Sequence, residues 1–165
     1  MVNREFNQRA YDTYDTLGKA VAARWVEAYG FAIVNVSSGS AAYEPDLLVR
    51  DPKGDFVETL FGLNSSEYFY VEPEIKARWA SRNFSYRDVH IPERKKKYLG
   101  LKYPVIFIVI NKPCTAFFTV SSAYLADCPV IEKYANNNLE TFFSVNKKDV
   151  LLWEQDIITE DYFVN

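Results

Sequence analysis

Three groups of residues in this chain combine types and spacings that suit hydrolysis of a charged ester. Pro45 and Asp46 open the apolar segment Leu47 to Val49, shortly after a loop of the small residues Ser37, Ser38, Gly39 and Ser40. Glu74, Ile75 and Lys76 close a second segment that begins at Tyr68, with Glu72 two residues before Glu74. In an extended strand alternate side chains share a face at intervals of roughly 6.5–7 Å, so Glu72, Glu74 and Lys76 point the same way. Asp46 brought beside Glu74 makes an oxygen-rich pocket for a hard cation such as Mg²⁺, or Mn²⁺ in its place, with water completing the octahedron. Lys76 would then orient or deprotonate an attacking water and face the charge that develops in the transition state.

The third group is a concentration of positive charge. The net charge is −3, but Lys76 to Lys102 contains nine basic residues against Asp88 and Glu93, a local excess of +7 that leaves −10 for the rest. Asp149 to Asn165 carries five acidic residues and no Lys or Arg. Charge segregated in this way predicts one anion-facing side on an acidic body. Arg78 and the run Arg94, Lys95, Lys96 and Lys97 are the expected contacts to DNA phosphates, joined by Ser38 and Ser40 from the loop. Such contacts position a backbone without reading its sequence.

Hydrophobic periodicity supplies the elements that must hold these residues. Leu17, Ala20, Val21, Arg24, Trp25 and Ala28 recur at helical spacing within a helix over about 7–29, and Gly30 ends it. Phe31 to Val36 reads as a strand, Pro45 to Arg50 as a second, and Asp55 to Phe61 as its hairpin partner after the turn Asp51 to Gly54. Tyr68 to Val71 runs as a strand into Glu72 to Lys76. Pro92 to Leu99 reads as a short helix with Pro in its first turn. Val105 to Ile110 is an unbroken apolar run, the mark of a strand covered on both faces. Ala116 to Ser121 and Thr141 to Val145 are further strands, and Pro129 to Ala135 a helix. The sum is one α/β domain over residues 1–165 with a mixed β-sheet flanked by helices, its catalytic core at about 7–111.

The stretch Tyr29 to Val34, then Ser38 to Ser40, Pro45 to Val49 and Glu74 to Lys76, resembles the PD-(D/E)XK nuclease superfamily, locally most like Holliday-junction resolvase-type endonucleases. The resemblance covers the first half of the chain. It implies a restriction-endonuclease-like core and a metal-dependent DNA endonuclease, with Asp46 and Glu74 as metal ligands and Lys76 as the catalytic lysine. The sequence departs from the pattern at four places. The gap from Asp46 to Glu74 is longer than a simple hairpin needs, because of the extra strand at Asp55 to Phe61, and Glu58 in that strand is followed two residues later by Leu60 rather than Lys, which favours Glu74. Lys19 stands where resolvases carry an early helix glutamate, which leaves Glu27 as a substitute ligand from the same helix. Pro73 implies an edge strand or a bulge, and a bulge would turn Glu72 toward the metal in place of Glu74. Enzymes of this kind often act as homodimers, and the aromatic C-terminal half offers apolar surface for such an interface.

Composition narrows the alternatives. One histidine, His90, and two cysteines, Cys114 and Cys128, with no Cys-x-x-Cys spacing exclude a structural zinc site, a zinc deaminase and an HExxH protease. His90 reads as a surface or packing residue. No apolar run reaches the roughly 18 residues of a membrane span, and Met1 to Ala10 is too polar for a signal peptide, so a cytoplasmic protein with reduced thiols is expected. Twelve Tyr and twelve Phe fit strand packing, or surfaces on which bases stack. Two other readings stay open: a non-catalytic DNA-binding or protein-interaction module on the same fold with a decayed metal site, and a factor whose acidic C-terminal segment mimics DNA.

Overall fold

A computed structural model describes residues 4–37, 44–76, 78–80, 88–135 and 137–154. The chain opens with helix α1, Arg4–Ala28. Its buried face is Gly18, Val21, Ala22, Trp25 and Val26, turned by one residue from the face that periodicity suggested. Gly30, at φ 82°, closes the helix: its N–H donates to the Glu27 carbonyl at 2.9 Å and the Phe31 N–H to the Val26 carbonyl at 3.3 Å. Left-handed backbone at that point costs a glycine nothing.

Six strands then form one mixed sheet. They are β1 (Ala32–Val36), β2 (Leu47–Arg50), β3 (Tyr68–Lys76), β5 (Val105–Asn111), β6 (Ala116–Ser121) and β9 (Leu151–Glu154), and they lie side by side in that order. β3 and β5 are parallel; every other neighbouring pair is antiparallel. The chain is therefore α/β with a mixed sheet, as its periodicity implied. The parallel pair requires a crossover. It contains β4 (Asp88–Pro92) and the 3₁₀ helix η1 (Glu93–Tyr98). β4 joins a second, antiparallel sheet in the order β4-β8-β7, with β7 at Val130–Ala135 and β8 at Asn138–Asn146.

Two cores result, one on each face of the large sheet. Val21, Trp25 and Val26 of α1 pack on Leu47, Val49, Phe69, Val71, Ile106, Ile108 and Ile110. On the other face Val105, Phe107 and Val109 meet Val89, Ile91, Tyr98, Phe143 and Val145, so the small sheet and η1 cover the side opposite α1. β5 is buried along its whole length because its alternate residues serve different cores. Trp79 stacks on Phe118 inside the second core, with ring centres 5.6 Å apart.

Two segments differ from the sequence-based expectation. Asp55 to Phe61 is not a strand: Phe56–Phe61 forms helix α2. Buried Asp51 accepts N–H bonds from Lys53 at 3.2 Å and Phe56 at 3.0 Å, which fixes the turn that starts the helix. Phe56, Val57, Leu60 and Phe61 then reach the first core at helical spacing, and Gly62 stops the helix at φ 66°. Pro129 to Ala135 is strand β7 rather than a helix, since Ile131, Glu132 and Lys133 pair across to Phe142, Thr141 and Glu140. Among the described residues no helix is long and apolar enough to cross a membrane.

Candidate active site

The end of the loop before β2 and the middle of β3 meet at Asp46 and Glu72. Leu47 pairs with Val71, which sets the preceding residue Asp46 opposite Glu72. The Asp46 N–H donates to Glu72 Oε1 at 3.0 Å, and the Asp46 carbonyl accepts the Ser37 N–H at 2.8 Å. Asp46 is thereby clamped between the end of β1 and β3. The other Glu72 oxygen, Oε2, accepts a hydrogen bond from Lys95 Nζ in an ion pair almost closed to solvent, with 12% and 5% of the two side chains exposed.

α1 adds two charged groups. Lys19 Nζ donates to the Ser37 carbonyl at 3.3 Å and pairs with Asp15, one turn earlier, at 3.0 Å. Burial works against the Lys19 ammonium, but the hydrogen bond to Asp15 and the charges of Asp46, Asp15 and Glu72 outweigh it and raise its pKa. Among the described carboxyl groups Asp46 is the most perturbed. Burial first, then the Glu72 carboxylate, push its pKa up to about 7, with Asp15 adding to the rise and Lys19 and Lys95 opposing it.

The glutamate beside Asp46 is therefore Glu72, and the Asp46, Glu74 and Lys76 trio expected from the sequence does not converge. Glu74 and Lys76 do share the Glu72 face, but further along the strand. Glu74 lies 3.6 Å from Lys76 Nζ and 4.0 Å from the Arg94 guanidinium, while Lys76 also sits over the Phe142 ring at 5.8 Å. No bulge is responsible. β3 holds an unbroken register with β5 from Tyr70 to Lys76, Pro73 opposite Ile108. β2 ends opposite Val71, so Pro73 lies where β3 has a neighbour on one side only, a place that tolerates proline. Glu27 is exposed and two helical turns beyond Lys19, away from Asp46. Ser38 and Ser40 lie outside the described residues.

The basic run divides. η1 is a 3₁₀ helix with three residues per turn, so Lys95 falls in line with Tyr98, which is buried in the second core. Lys95 therefore points inward to Glu72 and is not an outer phosphate contact. Arg94, Lys96 and Lys97 face solvent, Lys96 with Glu93 at 3.4 Å and Lys97 over the Tyr98 ring at 5.1 Å. Arg78 is exposed just past β3. His90 stands apart on β4 with Lys133 Nζ 3.2 Å from its Nδ1; burial, then the Lys133 charge, lower its pKa. Cys114 and Cys128 are both free.

Asp15 and the inward turn of Lys95 escaped the sequence reading. The i,i+4 spacing of Asp15 and Lys19 is a signal that could have found the pair, since Lys19 was already aligned with the ligand-bearing helix position. The direction of Lys95 had no such signal, because an α-helical spacing would have turned it elsewhere.

The donor set can be tested against a hard dication. Mg²⁺ commonly takes one or two carboxylates, water and substrate oxygens. Asp46 and Glu72 supply two carboxylates; burial, then the Glu72 charge, raise the Asp46 pKa to about 7, and a cation beside Asp46 would favour its charged form. Among the described residues no three His, Cys, Asp or Glu side chains form a metal cage. The pair thus fits an ion completed by water and substrate, provided Lys95 yields Glu72 Oε2. No family model, curated protein or solved structure matches this chain.

The Asp46 shift has a measurable sign. Its folded pKa of about 7 stands above the ordinary 3.8, so the folded chain holds this proton more tightly than the unfolded chain does. Stability from this group is complete below pH 4 and is lost as pH rises to 7. Asp46→Asn removes that loss. Its melting temperature relative to wild type should rise progressively between pH 4 and 8 without metal; a constant difference would mean Asp46 ionises normally.

Proposed function

We propose that this chain is a Mg²⁺-dependent endonuclease that hydrolyses DNA phosphodiester bonds, with Asp46 and Glu72 holding the ion. The observation that supports the reading is the meeting of Asp46, just before β2, with Glu72 in the middle of β3: the Asp46 N–H donates to Glu72 Oε1, and burial, then the Glu72 charge, disfavour an ionised Asp46 carboxyl with no cation beside it. When bound, the ion would polarise the phosphoryl group and lower the pKa of an attacking water. The ammonium paired with Glu72 is that of Lys95, with Lys19 also acting on Asp46; Lys76, expected for the catalytic role, neutralises Glu74 instead. Exposed Arg94, Lys97 and Arg78 offer positive charge to the flanking backbone. The mixed α/β sheet is of the fold class that the resemblance to PD-(D/E)XK nucleases implies. Two unpaired thiols agree with a cytoplasmic location.

Purified protein should nick supercoiled plasmid in Mg²⁺ or Mn²⁺ and stop on addition of EDTA. One observation favours a second reading, a DNA-binding module without catalysis: Lys95 already neutralises Glu72. That module would retain plasmid in a gel shift and cut it under no condition. Under either reading, the double variant Arg94→Ala with Lys97→Ala should weaken binding uniformly across sequences. The slope of log affinity against log salt should also flatten by about one to two ions. A loss confined to certain base sequences would mean that η1 reads bases.

A further inference from the structure

The β3 face that carries Glu72 also carries Tyr70 and Tyr68, two and four residues nearer the strand's start. Tyr103, shortly before β5, lies against both, with ring centres 5.2 Å from Tyr68 and 5.9 Å from Tyr70. The Lys102 ammonium sits 5.3 Å from the centre of the Tyr103 ring. All three tyrosines are partly exposed. Packing accounts for Tyr70, which leans on the second core, but Tyr68 and Tyr103 belong to neither core.

We propose that Tyr68, Tyr70 and Tyr103, with Lys102, form a stacking platform for an unpaired nucleobase beside the phosphate engaged at Asp46 and Glu72. The substrate is then DNA with unpaired nucleotides at the cut, as in a single strand. This rests on the nuclease reading and narrows its substrate. Strand geometry puts Tyr70 and Tyr68 about 7 and 13 Å along the face from Glu72, within reach of the base on the engaged nucleotide or the next one. A base inside a continuous duplex shows only its edges to a protein, and its faces are covered by its neighbours. A row of aromatic rings next to a backbone site gains contact only from a base that has left the stack. Lys102 supplies the cation that a strand running over the rings would meet with its phosphates.

The test is fluorescence anisotropy in Ca²⁺ with a labelled single strand and a blunt duplex of equal length. The proteins compared are wild type, Tyr103→Ala, Tyr68→Ala and Tyr103→Trp. Wild type should prefer the single strand. Each alanine variant should lose about tenfold of that affinity with an unchanged salt slope, while duplex affinity stays put and Tyr103→Trp keeps the wild-type value. Tyr68→Ala keeps the test valid should Tyr103→Ala fail to fold. The platform is overturned if duplex binds as well as the single strand, or if the alanine variants weaken both alike. In that case plasmid nicking that persists leaves the nuclease reading intact. A wild-type protein that binds neither DNA overturns both.

Discussion

Glu72→Gln should lower Mg²⁺-dependent plasmid nicking by about a thousandfold or more, whereas Glu74→Gln should retain most of the rate. A bound ion supplies several kcal/mol of transition-state stabilisation, and each 1.36 kcal/mol is a factor of ten in rate. The amide of Gln cannot replace a charged ligand. Glu72 is the carboxylate whose oxygen meets the Asp46 N–H, while Glu74 lies one strand repeat further on, in contact with Lys76 and Arg94. The measurement is single-turnover cleavage at saturating Mg²⁺, with circular dichroism to confirm that both variants fold. The opposite pattern, full loss in Glu74→Gln and a surviving Glu72→Gln, would give the ion to Glu74 and mean that β3 shifts when DNA binds.

The elements of this fold were readable where one physical signal dominated. β5 announced itself as a fully apolar run because both of its faces are covered, and α1 because Val21 and Trp25 recur at helical spacing. α2 was misread because Asp55 to Phe61 is as apolar as a strand, and the deciding factor is the buried Asp51, which accepts two turn amides. The site was legible as residue types but not as pairs. Asp46, Glu72, Glu74, Lys76 and Lys95 were all singled out, yet which glutamate meets Asp46 depends on the β2–β3 register. A shift of two residues keeps the same face and exchanges one glutamate for the other. Pro73 suggested a bulge that would explain a Glu72 ligand. Glu72 reaches Asp46 without one, because β2 begins at Leu47 opposite Val71, which sets the preceding Asp46 against Glu72.

Lys95→Ala should destabilise the metal-free protein by about 3 kcal/mol, since it strands a buried carboxylate without its partner. For a domain of this length that corresponds to a melting temperature lower by roughly 6–12 °C. Lys95→Met combined with Glu72→Gln should recover most of the loss, because neither partner then carries a buried charge. The same variant separates an enzyme from a binding module. In wild type a divalent ion has to displace the Lys95 ammonium from Glu72, whereas in Lys95→Ala that carboxylate awaits a cation. Ca²⁺ should therefore raise the melting temperature of Lys95→Ala by more than that of wild type. A hundredfold excess over Kd contributes about 2.7 kcal/mol. If the chain is a nuclease, tighter ion binding in Lys95→Ala should accompany slower cleavage, as the ammonium is lost from the reacting phosphate's surroundings. If it is a binding module, Lys95→Ala should melt equally low with and without Ca²⁺, and the Lys95–Glu72 pair is then a structural tie between η1 and β3.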